Sequence, residues 1–286
     1  MDYAMPGFMA EHHEKLRAKF EPLVEATNEL AEVQVMAALT LRLARLTQAA
    51  PLLSEAGFKE ETHMLFRGAL ESIVNLMYIM HVGPIIEGKT VNCLAKQFIS
   101  YGDVAFQKFI TIRDKESRAA YKNRLKMTDE QIANKIAEVN QKRTAALANG
   151  CTKTRWNDKY DFTKMAELVQ KNLPPYVMKG MAEIIFSCFV TVNSAVHGDA
   201  LSLRTQYNEL KNRPLEIKTS KYANYADVMG SVTLWAWQVI AEYYNQTDWL
   251  NKFVQDNLRV ELDKRIEAAK QEASRMVVLP PWVTVK

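Results

Sequence analysis

The segment from about Lys59 to His81 limits the fold more than any other part of this chain. Leu65, Phe66, Ala69, Leu70, Ile73, Val74, Leu76, Met77, Ile79 and Met80 put apolar side chains on almost every side of a helix. A helix with no face left for water has to be surrounded by other helices. Ten glycines and nine prolines in 286 residues are too few for the turns of a β or α/β fold. Both features predict an all-α multi-helix bundle, organised as a single domain over residues 1–286.

The rest of the chain follows the same pattern. A helix is expected from about Ala10 to Gln48, kinked or broken near Phe20 by Pro22 and ended by Ala49-Ala50-Pro51. Val33, Met36, Leu39, Leu43 and Leu46 form its apolar stripe, with Arg42 and Arg45 on another side. Gly83-Pro84 is expected to end the apolar helix that follows. Another helix begins after Thr90 and runs through Phe98, Phe106 and Ile110. Its continuation from Arg113 to Lys126 is highly charged, and Thr128-Asp129-Glu130-Gln131 is a capping box that opens a polar helix to about Leu147. These two polar limbs, residues 113–148, predict a charged hairpin protruding from the bundle. Further helices are expected over about Phe162 to Asn172, Tyr176 to Val196, Asn224 to Tyr244, and from Thr247-Asp248 to Arg275. The tail over 276–286, with Pro280-Pro281, is expected to be extended and to dock on its own chain.

Composition narrows the function classes. The net charge of +4 comes from interspersed residues, without the polybasic run that tracks a phosphate backbone. Cys93, Cys151 and Cys188 are far apart and form no C-x-x-C pair, which fits a reducing cytoplasm and reads the helical ones as small core residues. No basic-then-apolar leader opens the sequence. The most apolar stretches, Ile73–Met80, Ile184–Val192 and Val232–Ala241, are read as core helices too short or interrupted to span a bilayer. Walker, nucleophile-elbow, dinucleotide and zincin motifs are all missing, so no cofactor and no metal site is expected. His12-His13 is read as part of a mobile terminus, and adjacent helical residues do not converge on a metal.

Two polar seams on apolar helices carry the candidate chemistry. Asn193 and His197 are four residues apart and share one face of a helix ending at Gly198. A histidine at a helix C-terminus is favoured as imidazolium and suits a general acid, with Asn193 able to fix its tautomer or hold a substrate oxygen. Alternatively, such a histidine simply caps a carbonyl. Arg67, Glu71 and Asn75 recur at four-residue spacing in the apolar helix, with Tyr78 extending the seam. An arginine steadied by Glu71 can present its guanidinium to a phosphate, or the two can form an internal ion pair that sets helix register. Tyr101 and Asp103 interrupt the next apolar helix and could add binding groups to the same interior.

With Arg67-Gly68-Ala69-Leu70-Glu71-Ser72, Tyr101, Trp156 and Asn193-Ser194-Ala195-Val196-His197-Gly198 in place, the chain resembles a family of uncharacterised all-helical prokaryotic proteins from about Leu65 to Gly198. These are distantly similar to the HEPN superfamily of helical-bundle ribonucleases and nucleotide-binding proteins, many of which act in toxin and antiviral defence systems. HEPN nucleases carry an arginine ahead of the histidine on the same helix. Here the residue four before His197 is Asn193, and no arginine precedes it on that helix. The resemblance then implies that Arg67, or a second subunit of a homodimer, supplies the cation. It implies metal-independent RNA cleavage with His197 as acid or base, Arg67 as phosphate ligand, and Glu71 and Asn193 as orienting groups. Two other readings use the same residues: a non-catalytic helical sensor or scaffold for a protein partner, and a bundle that binds a small anionic ligand.

Overall fold

The structure is a computed structural model that describes residues 4–55, 59–110, 126–148, 150–151, 156–157, 159–173 and 223–257, together with the single positions 119, 123 and 260. The described elements are helical, with no strand among them. In chain order they are α1 (Ala4–Ala26), α2 (Ala31–Glu55), α3 (Lys59–Met77), a π-helical turn (Tyr78–Val82) and α4 (Gly83–Glu87). Next come α5 (Val91–Ile110), α6 (Asp129–Ala148), α7 (Phe162–Lys171), α8 (Ala223–Tyr243) and α9, residues 247–257. The expected helix over 176–196, the charged limb from 113 to 125 apart from two exposed helical positions, and the tail over 276–286 lie outside the described residues.

The prolines do not act where the sequence suggests. Pro22 lies inside α1 and Pro51 inside α2, so neither breaks its helix. The break falls at Thr27–Leu30. There the Thr27 hydroxyl donates to the Leu23 carbonyl, the Thr27 amide closes on Val24, and Gln34 donates to the Asn28 carbonyl. Polar side chains that compete for backbone hydrogen bonds end this helix more effectively than a proline that costs it one.

Gly83-Pro84 likewise fails to end the apolar helix. The Gly83 amide bonds back five residues to the Tyr78 carbonyl, which widens one turn into a π-bulge. Pro84 then sits at the start of α4, where a missing N–H is tolerated. The helical path stops only at Gly88, whose φ of 66° is the left-handed cap that favours glycine. As a result Met64–Glu87 forms a 24-residue run, which by length and composition alone could cross a membrane. This corrects the expectation that the Ile73–Met80 stretch is too short to do so. Most of its apolar window is buried within the protein, as in a core helix.

The chain divides into two compact units, with boundaries inside α1, α2 and α3. The first comprises residues 1–21, 40–70 and 189–286. In it Phe20 stacks on Trp237 at 5.6 Å and meets Trp249 edge-on at 5.7 Å. The Thr47 hydroxyl reaches Thr233 Oγ at 2.7 Å and donates to the Met229 carbonyl, tying α2 to α8. The second unit comprises residues 22–39 and 71–188. Its core includes Val33, Met36, Ile73, Leu76, Leu94 and Met165, all buried. The Asn92 amide donates to Glu32, and α6 packs along α5 with Val139 and Ala146 buried. The described limb of the charged hairpin therefore has a buried side.

Local signals set several helix ends. Thr128 and Gln131 form the reciprocal capping box expected of them, at 2.8 and 3.2 Å. Thr90 caps α5 by accepting from the Cys93 amide, and Asp161 caps α7 by accepting from the Lys164 amide. Cys93, read as a core residue, is exposed there, whereas Cys151 is buried.

Candidate functional site

Along the α3 seam, Arg67 and Glu71 are half-buried between fully buried Phe66, Ala69, Leu70 and Ser72. Asn75 and Tyr78 make internal hydrogen bonds. The Trp156 indole donates to Asn75 Oδ1 at 3.0 Å, and the fully buried Tyr78 phenol donates to Glu87 Oε1 at 2.5 Å.

Glu87 is the centre of a polar network in the second unit. Its side chain is 1% exposed; Oε1 accepts from Tyr78 and from Asn157 Nδ2 at 2.7 Å, and Oε2 forms an ion pair with the partly exposed Lys89 ammonium at 2.8 Å. Asn157 is oriented for this by a turn of its own, its Oδ1 accepting from the Lys159 and Tyr160 amides. Lys89 also reaches Gln97 Oε1, while Gln97 donates to the Gly150 carbonyl. Trp156 packs edge-on against both Tyr78 and Phe98, at 6.0 and 5.4 Å.

The electrostatics identify what this network can do. Burial works to raise the Glu87 pKa, but the hydrogen bonds from Lys89, Tyr78 and Asn157 outweigh it and hold the carboxyl below its usual range. Burial first, then the hydrogen bond to Glu87 and its charge, push the Tyr78 phenol far above its ordinary value. An acid that stays ionised beside a phenol that stays protonated exchanges no proton near neutral pH. The cluster is a brace that locks the connection carrying Trp156 and Asn157 onto the π-turn.

Gly83 makes the brace possible. A Cβ there would lie 2.6 Å from Leu94 Cδ1 and 2.9 Å from the Tyr78 carbonyl oxygen. The sequence does not single out Glu87 or Asn157, and it offers Gly83 only as a helix end. The available signal was a single acid closing an apolar run ahead of a glycine, a pattern that many exposed helix ends share.

In the first unit α2 and α3 approach closely at Gly68. The guanidinium of Arg42 lies 3.5 Å from where a Gly68 Cβ would stand, with Leu46 at 3.4 Å. Arg42 of α2 is thereby brought against the residue that follows Arg67 on α3, although the sequence placed it on another side. Of the remaining sequence candidates, Tyr101 is the one whose side chain is described. Tyr101 packs against Ala146 and Cys151, its phenol raised by burial and then by Cys151. Asn193, His197 and the side chain of Asp103 lie outside the described residues. Among the described residues, no group of three His, Cys, Asp or Glu side chains is arranged to hold a metal ion.

The model of a family of unknown function, DUF5677, matches residues 33–214. The chain belongs to that family. The matched span is more than half of the sequence and contains the α3 seam, the Glu87 brace, Trp156 and the residues Asn193–Gly198. No curated protein and no solved structure gives a significant match.

Proposed function

We propose that this chain is a HEPN-like RNA-directed effector that holds RNA phosphates with Arg42 and Arg67 and cleaves the strand without a metal. The observation that carries the reading is the approach of the Arg42 guanidinium to Gly68, the residue that follows Arg67 in sequence. Two planar forks from different helices suit a phosphodiester better than one, and they supply the arginine that is missing from the residues just ahead of His197. In this scheme His197 serves as general acid or base toward the RNA 2′-hydroxyl or the leaving oxygen, and Asn193 orients it. The family span supports the scheme by enclosing all four residues.

Cells expressing the native chain should show degraded RNA, and cells expressing His197→Ala intact RNA. With the purified protein, log affinity for single-stranded RNA should fall with log salt. The slope should flatten by about 0.7 for each arginine removed in Arg42→Ala and Arg67→Ala. Intact RNA in both strains together with an unchanged salt slope would dismiss the proposal.

One observation favours a second reading. Asn75 and Tyr78, which the sequence offered as substrate-binding groups, are spent on Trp156 and Glu87. A rigid, internally satisfied unit of this kind suits a non-catalytic scaffold for a protein partner. RNA binding by the native chain with unaltered RNA integrity would separate a binding role from a cleaving one.

A further inference from the structure

The described part of α1 brings two adjacent histidines, His12 and His13, into the first unit, each only 4% exposed. The sequence suggested a mobile terminus here; burial of both side chains corrects that. His12 meets Phe253 of α9 edge-on at 5.7 Å. His13 meets Trp237 of α8 at 5.8 Å, and about two turns further along α1 Phe20 stacks on the same indole. The N-terminal helix is therefore fastened to α8 and α9 through a wall of aromatic rings.

The weak point of that wall is polar. His13 Nδ1 is buried and has no hydrogen-bond partner, and the Nε1 of its neighbour Trp237 has none either. A neutral imidazole tolerates this, because one ring nitrogen can remain an unprotonated acceptor at modest cost. Imidazolium is different. Both of its nitrogens donate, and the added N–H would be charged, buried and unpaired. The indole face of Trp237 offers a cation some attraction but no acceptor for that proton.

We propose that α1 is a pH-operated clasp, docked on the α8–α9 wall while His13 is neutral and released when His13 takes up a proton. The groups around His13 favour this direction. Glu14 and Arg17 on α1 are the charged side chains that act on it, with opposite signs. Glu14 is exposed and lies 3.5 Å from Arg17, so solvent screens its help. From α8 the ring meets Trp237, and from α9 its neighbour His12 meets Phe253; neither partner titrates. Lys19 sits over Trp249, where it adds positive charge to the wall and no acceptor. Burial accordingly lowers the pKa of His13 below its ordinary 6.5. Docking is complete above that value and weakens as pH falls below it, in the range where histidine acts as a switch. Release would uncover Phe20, Trp237 and Phe253 together.

Hydrogen exchange resolved by peptide, corrected for intrinsic rates, tests the clasp on the full chain. Between about pH 7.5 and about pH 5.5, protection of α1 should drop roughly tenfold while α6 holds its protection. In His13→Phe, which keeps a ring without a proton to gain, α1 should be equally protected at both values. Equal loss in variant and native chain, or a loss spread evenly through α6, would overturn the proposal. If His13→Phe does not fold, an NMR titration of the His13 ring in the native chain decides. A midpoint below 6.5 that tracks α1 release supports the clasp, and a midpoint at or above 6.5 refutes it.

Discussion

Three donors converge on Glu87, and the value of each can be read from what its loss leaves behind. Tyr78→Phe removes one hydrogen bond to a charged acceptor while Asn157 and Lys89 remain, which should cost about 1.5–3 kcal/mol. Glu87→Leu strands Tyr78 and Asn157 beside a buried apolar side chain, removes the ion-pair partner of Lys89, and should cost more, about 3–5 kcal/mol. Urea midpoints at constant slope measure both, and equal losses for the two variants would show that Glu87 is not the hub. Gly83→Ala is a steric counterpart. Leu94 can swing away from a new methyl but the Tyr78 carbonyl cannot, so the π-turn must shift at a cost of about 1–3 kcal/mol. Of these residues only Tyr78 was legible as a seam residue, because its place three residues beyond Asn75 on an apolar helix is a local pattern. Glu87 and Asn157 meet through a fold that puts them 70 positions apart, and Arg42 shows its proximity to Gly68 only once two helices cross.

Elements differ in how locally they are determined. α6 begins where the sequence says it should because Thr128 and Gln131 satisfy each other within one turn. Thr128→Ala should therefore cost about 1 kcal/mol, and Asp161→Ala about the same at the start of α7. Circular dichroism and urea unfolding of the two single variants check this, and if the losses simply add in the double variant the caps act independently. The proline-bearing helices follow a different logic. Pro22, Pro51 and Pro84 each remove one backbone hydrogen bond, yet α1, α2 and the α3–α4 path continue because tertiary burial outweighs the lost bond. At Pro84 the adjustment is visible as the π-turn, held from outside by Leu94, Tyr78 and Glu87. A rule that reads Gly-Pro as a helix end has no access to those partners.

For the molecule as a whole, the groups with shifted pKa values set the acid limit of stability in two stages. His13 and His81 are both lowered by burial from 6.5, so the folded chain binds fewer protons than the unfolded one just below that value. Stability is then full above about pH 6.5 and declines as pH falls toward their folded values. Glu87 acts in a lower window. Its carboxyl is held below 4.5, so its contribution is complete above that pH and is lost as pH drops through the depressed value. Melting temperature against pH should therefore show a plateau near neutrality, a first decline below 6.5 and a second below 4.5. His13→Phe should shrink the first step and leave the second, while Glu87→Gln should lower the plateau and abolish the second. His13 lies in the first unit and His81 and Glu87 in the second, so the first step draws on both units and the second step on one. If a single variant erased both steps, the two units would have to unfold as one, and the acid limit would belong to the bundle rather than to its parts.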